Sequence, residues 1–177
     1  MIFSETKLKG AYVIDIKKEE DERGFFARTW DKEKFFERGL KSEFVQFSMS
    51  FNKKKGTLRG MHYQIEPFEE TKLISCVSGK IYDVIIDLRK FSPTYKKWMS
   101  IELSDTNHRT LYVPKGFAHG YITLKNNTLV TYKISEKYNP KFARGIKWDD
   151  IEFKIKWPIN PIIISKKDQS FNNWKTN

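Results

Sequence analysis

The sequence predicts an all-β protein, a jelly-roll barrel with short peripheral helices, and three observations carry that expectation. From residue 44 onward strand-like runs follow one another with no helical period between them. Short turn signals separate the runs, and within them apolar and polar residues alternate as they do in half-buried strands. Many short antiparallel strands without intervening helices close into a sandwich or barrel, and the jelly roll is a common solution.

In chain order, Gly10-Ala-Tyr-Val-Ile-Asp-Ile16 reads as a first strand and the charged run Lys17 to Asp21 as a solvated turn. The stretch Arg23 to Trp30 mixes charge with Phe25, Phe26 and Trp30. That composition suits a half-buried strand lining a pocket, with Phe26 free to stack on a flat ligand. Asp31 is placed to cap a short helix, Lys32 to Arg38, and Gly39 to end it. Strands are then expected at 44–51, 57–64, 72–78, 80–88, 97–103, 110–113, 117–124 and 128–135. The turn signals between them include Lys53-Lys-Lys-Gly56, Ser78-Gly79, Pro114-Lys-Gly116 and Lys125-Asn-Asn127. Tyr138-Asn-Pro140 breaks the pattern, and 138–177 reads as a loop-rich segment laid back over the barrel. No Gly/Ser/Pro-rich linker interrupts the chain, so 1–177 is expected to be one domain.

The net charge of +11 favours acidic partners. Lys and Glu are interspersed, however, and no basic block carries interleaved aromatics, so a small doubly anionic substrate is expected rather than nucleic acid. The N-terminus lacks the basic and apolar regions of a signal peptide, and no apolar run reaches membrane-spanning length. A cytoplasmic protein with no membrane partner is expected. The single cysteine, Cys76, excludes an intramolecular disulfide and lies in an apolar run, where it is expected to be buried.

Alternation also says which polar residues point inward. Tyr132 shares parity with Val130 and Ile134, and Lys72 with Ile74 and Cys76. An inward lysine is costly unless it is paired or lines a wet site. The run Gly56-Thr-Leu-Arg-Gly-Met-His-Tyr-Gln64 adds Arg59, whose planar fork suits phosphate oxygens, and His62, whose pKa lies near neutrality. Positions 59 and 62 have opposite parity and would face opposite sides of a regular strand. A bulge at Gly60 is therefore expected, bringing both side chains into one cavity.

Three chemistries fit such an interior. Val113-Pro-Lys-Gly-Phe-Ala-His119 has the P-x-G-x-x-H spacing of the second cupin motif, and Gly56 to His62 resembles the start of the first. The position two after His62 is Gln64, which leaves only His62, His119 and Glu69 for a divalent ion; the barrel is cupin-like, with its metal site vacated. A sugar-binding module would use the arginine and the aromatics but has no need of opposed acid and base groups. Cofactor-free proton transfer beside a carbonyl needs them: a histidine on one face, a tyrosine on the other, and a cationic lysine for the enolate oxygen.

Taken together, Arg23-Gly-Phe-Phe26, Gly56 to Gln64, Lys72, Asp83-Val-Ile-Ile-Asp-Leu-Arg89, Ser92-Pro-Thr-Tyr95, Tyr112 to Tyr121, Tyr132, Tyr138-Asn-Pro140 and Ser165-Lys-Lys-Asp168 resemble the dTDP-4-dehydrorhamnose 3,5-epimerase family along nearly the whole chain. The resemblance implies a jelly-roll homodimer with exchanged N-terminal strands and no cofactor. Its substrate would be a nucleotide-diphosphate 4-keto sugar, destined for deoxysugars of surface polysaccharide. It also implies His62 as base oriented by Asp168, Tyr132 as acid, and Lys72 at the C4 oxygen. Arg23, Arg59 and His119 would hold the diphosphate or sugar, Phe26 would stack on the base, and Tyr138 would flank the sugar. Strand Gly10 to Ile16 and segment Arg23 to Trp30 are expected to have edges that a second copy covers.

Two positions depart from the family pattern. Arg28 stands where thymidine-nucleotide members usually carry Glu, and Gln46 is followed by Phe47-Ser48 rather than Asp-Asn. Arginine only donates, which suits the acceptor edge of guanine or a further phosphate oxygen. A GDP-linked 4-keto-heptose epimerase therefore stands as the alternative, and inversion at C3 or C5 alone remains open.

Overall fold

A computed structural model describes residues 1–174; the last three positions of the C-terminal segment lie outside the described residues. The chain forms β1 (Ile2–Glu5), β2 (Tyr12–Asp15), β3 (Lys18–Asp21), β4 (Gly24–Ala27), α1 (Lys32–Phe36), β5 (Gln46–Asn52), β6 (Thr57–Gln64), β7 (Lys72–Ser78) and β8 (Lys80–Asp87). It continues through β9 (Trp98–Ser104), β10 (Thr110–Val113), β11 (Phe117–Thr123), β12 (Thr128–Ile134), β13 (Ala143–Gly145), β14 (Ile163–Ile164) and α2 (Lys166–Gln169). All eight strands expected from residue 44 onward are present, with ends shifted by no more than two residues.

Two antiparallel sheets face each other. One runs β1-β2-β10-β7-β12-β5 and the other β13-β6-β11-β8-β9, with β14 joining β6 in parallel. Between them lie Ile74, Cys76, Leu111, Val113 and Val130 from the first sheet and Ile81, Ile85, Leu103, Phe117 and Tyr121 from the second. The alternation that places Ile74 and Cys76 in this core carries Lys72 inward as well, and Cys76 is buried as expected.

The outer faces are covered unequally. Asp31 caps α1 by accepting from the Lys34 amide, and Phe35 packs on Ile14, Leu73 and Tyr112 over one end of the first sheet. The C-terminal segment lays Ile146, Phe153 and Trp157 over the second sheet, against Met61, Val84 and Ile86. Phe47, Met49 and Phe51, on the outer side of edge strand β5, are left exposed together with Val77. Among the described residues no helix is long and apolar enough to cross a membrane.

The N-terminal third differs from the sequence reading. Lys18 to Asp21 is a strand rather than a turn, and it pairs with β4 in a two-stranded arm. All four residues of β3 and three of the four in β4 are exposed, so the arm does not line a pocket of its own chain. Such a ribbon has no apolar face to announce it, which is why its first strand reads as a turn. Strand β2 is shorter than expected and has no free edge, because β1 pairs with it on one side and β10 on the other. Helix α1 stops at Phe36, and Gly39 follows with φ of 65°.

Candidate active site

The bulge expected at Gly60 is present. His119 pairs with His62 and Tyr121 with Arg59, so three steps along β6 span two along β11. Gly60 has φ of 114°, and the Gly60–Met61 peptide bond is cis. A Cβ on Gly60 would come within 2.6 Å of Gly120 Cα and 2.8 Å of His119 O, so only glycine permits this approach of the two strands. The extra residue turns Arg59 and His62 toward one cavity.

That cavity occupies the polar end of the barrel, with a volume of about 370 Å³. Arg59, His62, Lys72, His119, Tyr132 and Tyr138 line it, six of the residues singled out from the sequence. Asp168 stands behind His62: its Oδ1 lies 2.8 Å from His62 Nε2, while Oδ2 accepts from the Gly60 amide at 3.1 Å. Ser165 caps α2 by accepting from the Asp168 amide at 3.0 Å, which fixes the carboxylate's position. Burial acts to raise the Asp168 pKa, but the hydrogen bonds from His62, Gly60 and Ser165 outweigh it and hold the carboxyl below its usual value.

His119 Nε2 lies 2.7 Å from Asp83 Oδ1 on β8. Full burial pushes the Asp83 pKa up, against the pull of His119 and Lys72. Tyr132 packs edge-on to His119, with ring centroids 6.3 Å apart. Burial first, and the adjacent Tyr121 second, drive the Tyr132 hydroxyl well above its ordinary pKa, so it is a neutral phenol at physiological pH. Arg59 Nε donates to Asn52 Oδ1 at 2.8 Å, which anchors the guanidinium at its stem.

The remaining sequence candidates stand elsewhere. On the arm, Arg23 pairs with Asp21 at 2.5 Å in solvent, Phe26 is 66% exposed, and Arg28 lies 3.8 Å from Asp31. None of the three lines the cavity of its own chain, because the arm departs from both sheets. Gln46 accepts from the Tyr138 amide at 2.9 Å and so fixes the loop at the cavity mouth instead of facing the interior. Glu69 lies 3.9 Å from Lys115, and among the described residues no three His, Cys, Asp or Glu side chains cluster as metal ligands.

The sequence reading missed Ser50, Glu70, Tyr121, Arg144 and Phe171, all of which line the cavity. Tyr121 carried a signal, since it shares parity with Phe117 on β11, whereas in β5 the apolar Phe47, Met49 and Phe51 hold the opposite parity to Ser50 and so pointed the wrong way. Phe171 carried none: its ring stands edge-on to His62 at 5.7 Å only because the tail folds across Gly145, where a side chain would collide with it.

Comparison with known proteins agrees with this geometry. The dTDP-4-dehydrorhamnose 3,5-epimerase family profile matches residues 5–176. The protein of that name from Methanothermobacter thermautotrophicus is 43% identical over 176 residues, covering 98% of this chain and 92% of its own. The crystal structure of the Bacillus anthracis enzyme with TDP and PPi bound superposes with a TM-score of 0.94 at 42% identity, covering 98% of this chain and 99% of that one. A Legionella pneumophila dTDP-6-deoxy-D-glucose-3,5-epimerase in complex with dTDP-4-keto-L-rhamnose gives 0.91 at 34% identity, covering 97% and 92%. With the bulged strand, the paired histidines and the inward tyrosine in place, these matches show that the chain belongs to the dTDP-4-dehydrorhamnose 3,5-epimerase family.

Proposed function

We propose that this protein inverts C3 and C5 of a dTDP-linked 4-keto-6-deoxy sugar without a cofactor, through an enolate. The observation that carries the reading is one cavity holding the His62–Asp168 dyad, the neutral Tyr132 phenol and the Lys72 ammonium. His62 removes the proton from the carbon beside the C4 carbonyl. The electron pair moves onto the C4 oxygen, where Lys72 stabilises the developing charge. Tyr132 then delivers a proton to the same carbon from the opposite face, and the configuration inverts. Asp168 holds the imidazole in orientation and stabilises its protonated form. Arg59 and His119 hold the diphosphate and sugar, and Tyr138 flanks the sugar at the mouth.

The working unit is a homodimer. Phe47, Met49 and Phe51 on β5 and Val77 on β7 are apolar and exposed on one sheet, and the arm, whose Phe25 rests on His108, carries Arg23, Phe26 and Arg28 outside the cavity of its own chain. In the dimer the arm reaches the other copy's cavity, Phe26 stacking on the nucleotide base and Arg23 meeting the diphosphate. The thymidine nucleotide is favoured over guanosine by the relatives' names and by the ligands bound in two of their solved structures.

The test is incubation with dTDP- and GDP-linked 4-keto-6-deoxy sugars in D₂O, reading deuterium at C3 and C5 by NMR. Incorporation at both carbons of the dTDP sugar is expected, with slower exchange of the GDP sugar. No incorporation from either substrate sinks the reading.

A further inference from the structure

We propose that Glu70 is a positioning residue for Lys72, aiming its ammonium into the cavity; this rests on the reading that Lys72 meets the C4 oxygen. A lysine carries a compact charge on a flexible stem, so something must fix its direction. Lys72 Nζ lies 2.8 Å from Glu70 Oε1, and the side chains are 10% and 11% exposed. Among the described residues lining the cavity, Glu70 is the only acid. A buried negative charge in a cavity that must admit a diphosphate opposes binding, and its presence asks for a compensating role.

The hydrogen bonds supply that role. Gln64 donates from Nε2 to the second Glu70 oxygen at 3.2 Å. Gln64 is itself buried and tied down: the two hydrogens of Nε2 are shared among Glu70, Phe68 O at 2.9 Å and Lys137 O at 3.2 Å, and Oε1 accepts from the Asn139 amide at 2.7 Å. Both Glu70 oxygens are therefore committed within the protein, and the side chain acts through Lys72. The other charged or titratable groups lining the cavity are Arg59, His62 and Tyr63 on β6, His119 and Tyr121 on β11, Tyr132 on β12, Tyr138, Arg144 on β13 and Lys167 on α2, with Asp83 on β8 behind His119. The one carboxylate among them, Asp83, gives Oδ1 to His119 and feels the charge of Lys72, but Glu70 is the carboxylate in ion-pair contact with Lys72.

Glu70→Gln tests this, because it keeps the shape and an acceptor oxygen and removes the charge. With the dTDP-linked 4-keto sugar, kcat should fall about tenfold or more while KM changes less than about threefold. Glu70→Asp, which keeps the carboxylate on a shorter stem, should restore kcat in part. Unchanged kcat in Glu70→Gln overturns the proposal. A fall in kcat that Glu70→Asp does not restore makes Glu70 merely structural and overturns it too, and a rise in KM alone makes it a substrate contact and overturns it as well. Lys72→Met is measured alongside: wild-type turnover there would refute the role of Lys72 itself, whereas loss of turnover there with an unaffected Glu70→Gln refutes only the positioning role.

Discussion

His62 and His119 are direct partners across β6 and β11, and each presents Nε2 to a carboxylate from outside that strand pair: Asp168 at 2.8 Å and Asp83 at 2.7 Å. The two carboxylates are tuned in opposite directions. Asp168 is held below its usual pKa by its donors, whereas burial raises Asp83, whose Oδ2 has no hydrogen-bond partner among the described residues. A firmly ionised partner suits a histidine that takes on a proton, the role proposed for His62.

Asp168→Asn should therefore cost roughly 10²–10⁴-fold in kcat, as loss of the orienting carboxylate does in other histidine dyads. It also has a stability signature. A carboxyl whose folded pKa is depressed contributes stability that is fully present above its unfolded pKa of about 4 and is lost as pH falls through the folded value. Thermal melts of Asp168→Asn should lose less stability than wild type below about pH 4. Parallel melting curves would contradict that assignment.

His62→Ala and Tyr132→Phe should fail differently. Without His62, deuterium exchange at both carbons should stop, with a loss at or beyond the ~10²–10⁴-fold typical of one general base. Without the Tyr132 hydroxyl, enolisation should persist and His62 should return deuterium to the face it came from, giving exchange with retained configuration. NMR of the recovered sugar separates the two. Tyr132→Phe epimerising at the wild-type rate would transfer the acid role elsewhere, most directly to Tyr138.

If each arm completes the other copy's cavity, two inactive variants should rescue each other. Mixing His62→Ala chains with Arg23→Ala chains and allowing exchange leaves one intact site per mixed dimer, the site with its own His62 and its partner's Arg23. Activity should rise toward about a quarter of wild type. No recovery in a mixture shown by sedimentation to contain dimers would mean that the arm serves no neighbouring cavity.

Gly60→Ala and Gly24→Ala make a matched pair, since both residues have φ in the range that disfavours side chains, 114° and 126°. A Cβ at Gly24 meets nothing within 4 Å, so only backbone strain applies there, about 1–3 kcal/mol. At Gly60 the collision with Gly120 and His119 adds to it, and the total should exceed about 3 kcal/mol. Urea unfolding gives both values. Equal costs would mean that the strand approach is not the constraint described here.

The barrel was legible because most of its strands send apolar residues to the core; β5, with Phe47, Met49 and Phe51 turned outward, is the exception. Lys72 and Tyr132 could be assigned inward from parity alone, and Gly60 was a visible irregularity between two site residues of opposite parity. The arm was not legible as an arm. Its residues answer to no core of their own chain, so Lys18 to Asp21 looked like a turn and Phe26 like a pocket residue, while its body stands exposed in solvent. Asp168 came only from family resemblance. Its approach to His62 depends on how the loop-rich tail crosses β6, and no periodicity encodes a path of that kind.

The contact of Gly60 with Gly120 also bears on how such an enzyme can change. Where those strands touch there are no side chains to exchange, so the separation of the main chain at His62 and His119 is set by backbone contact. A side chain at either glycine would have to displace the main chain of the facing strand, and with it the two histidines that pair across it.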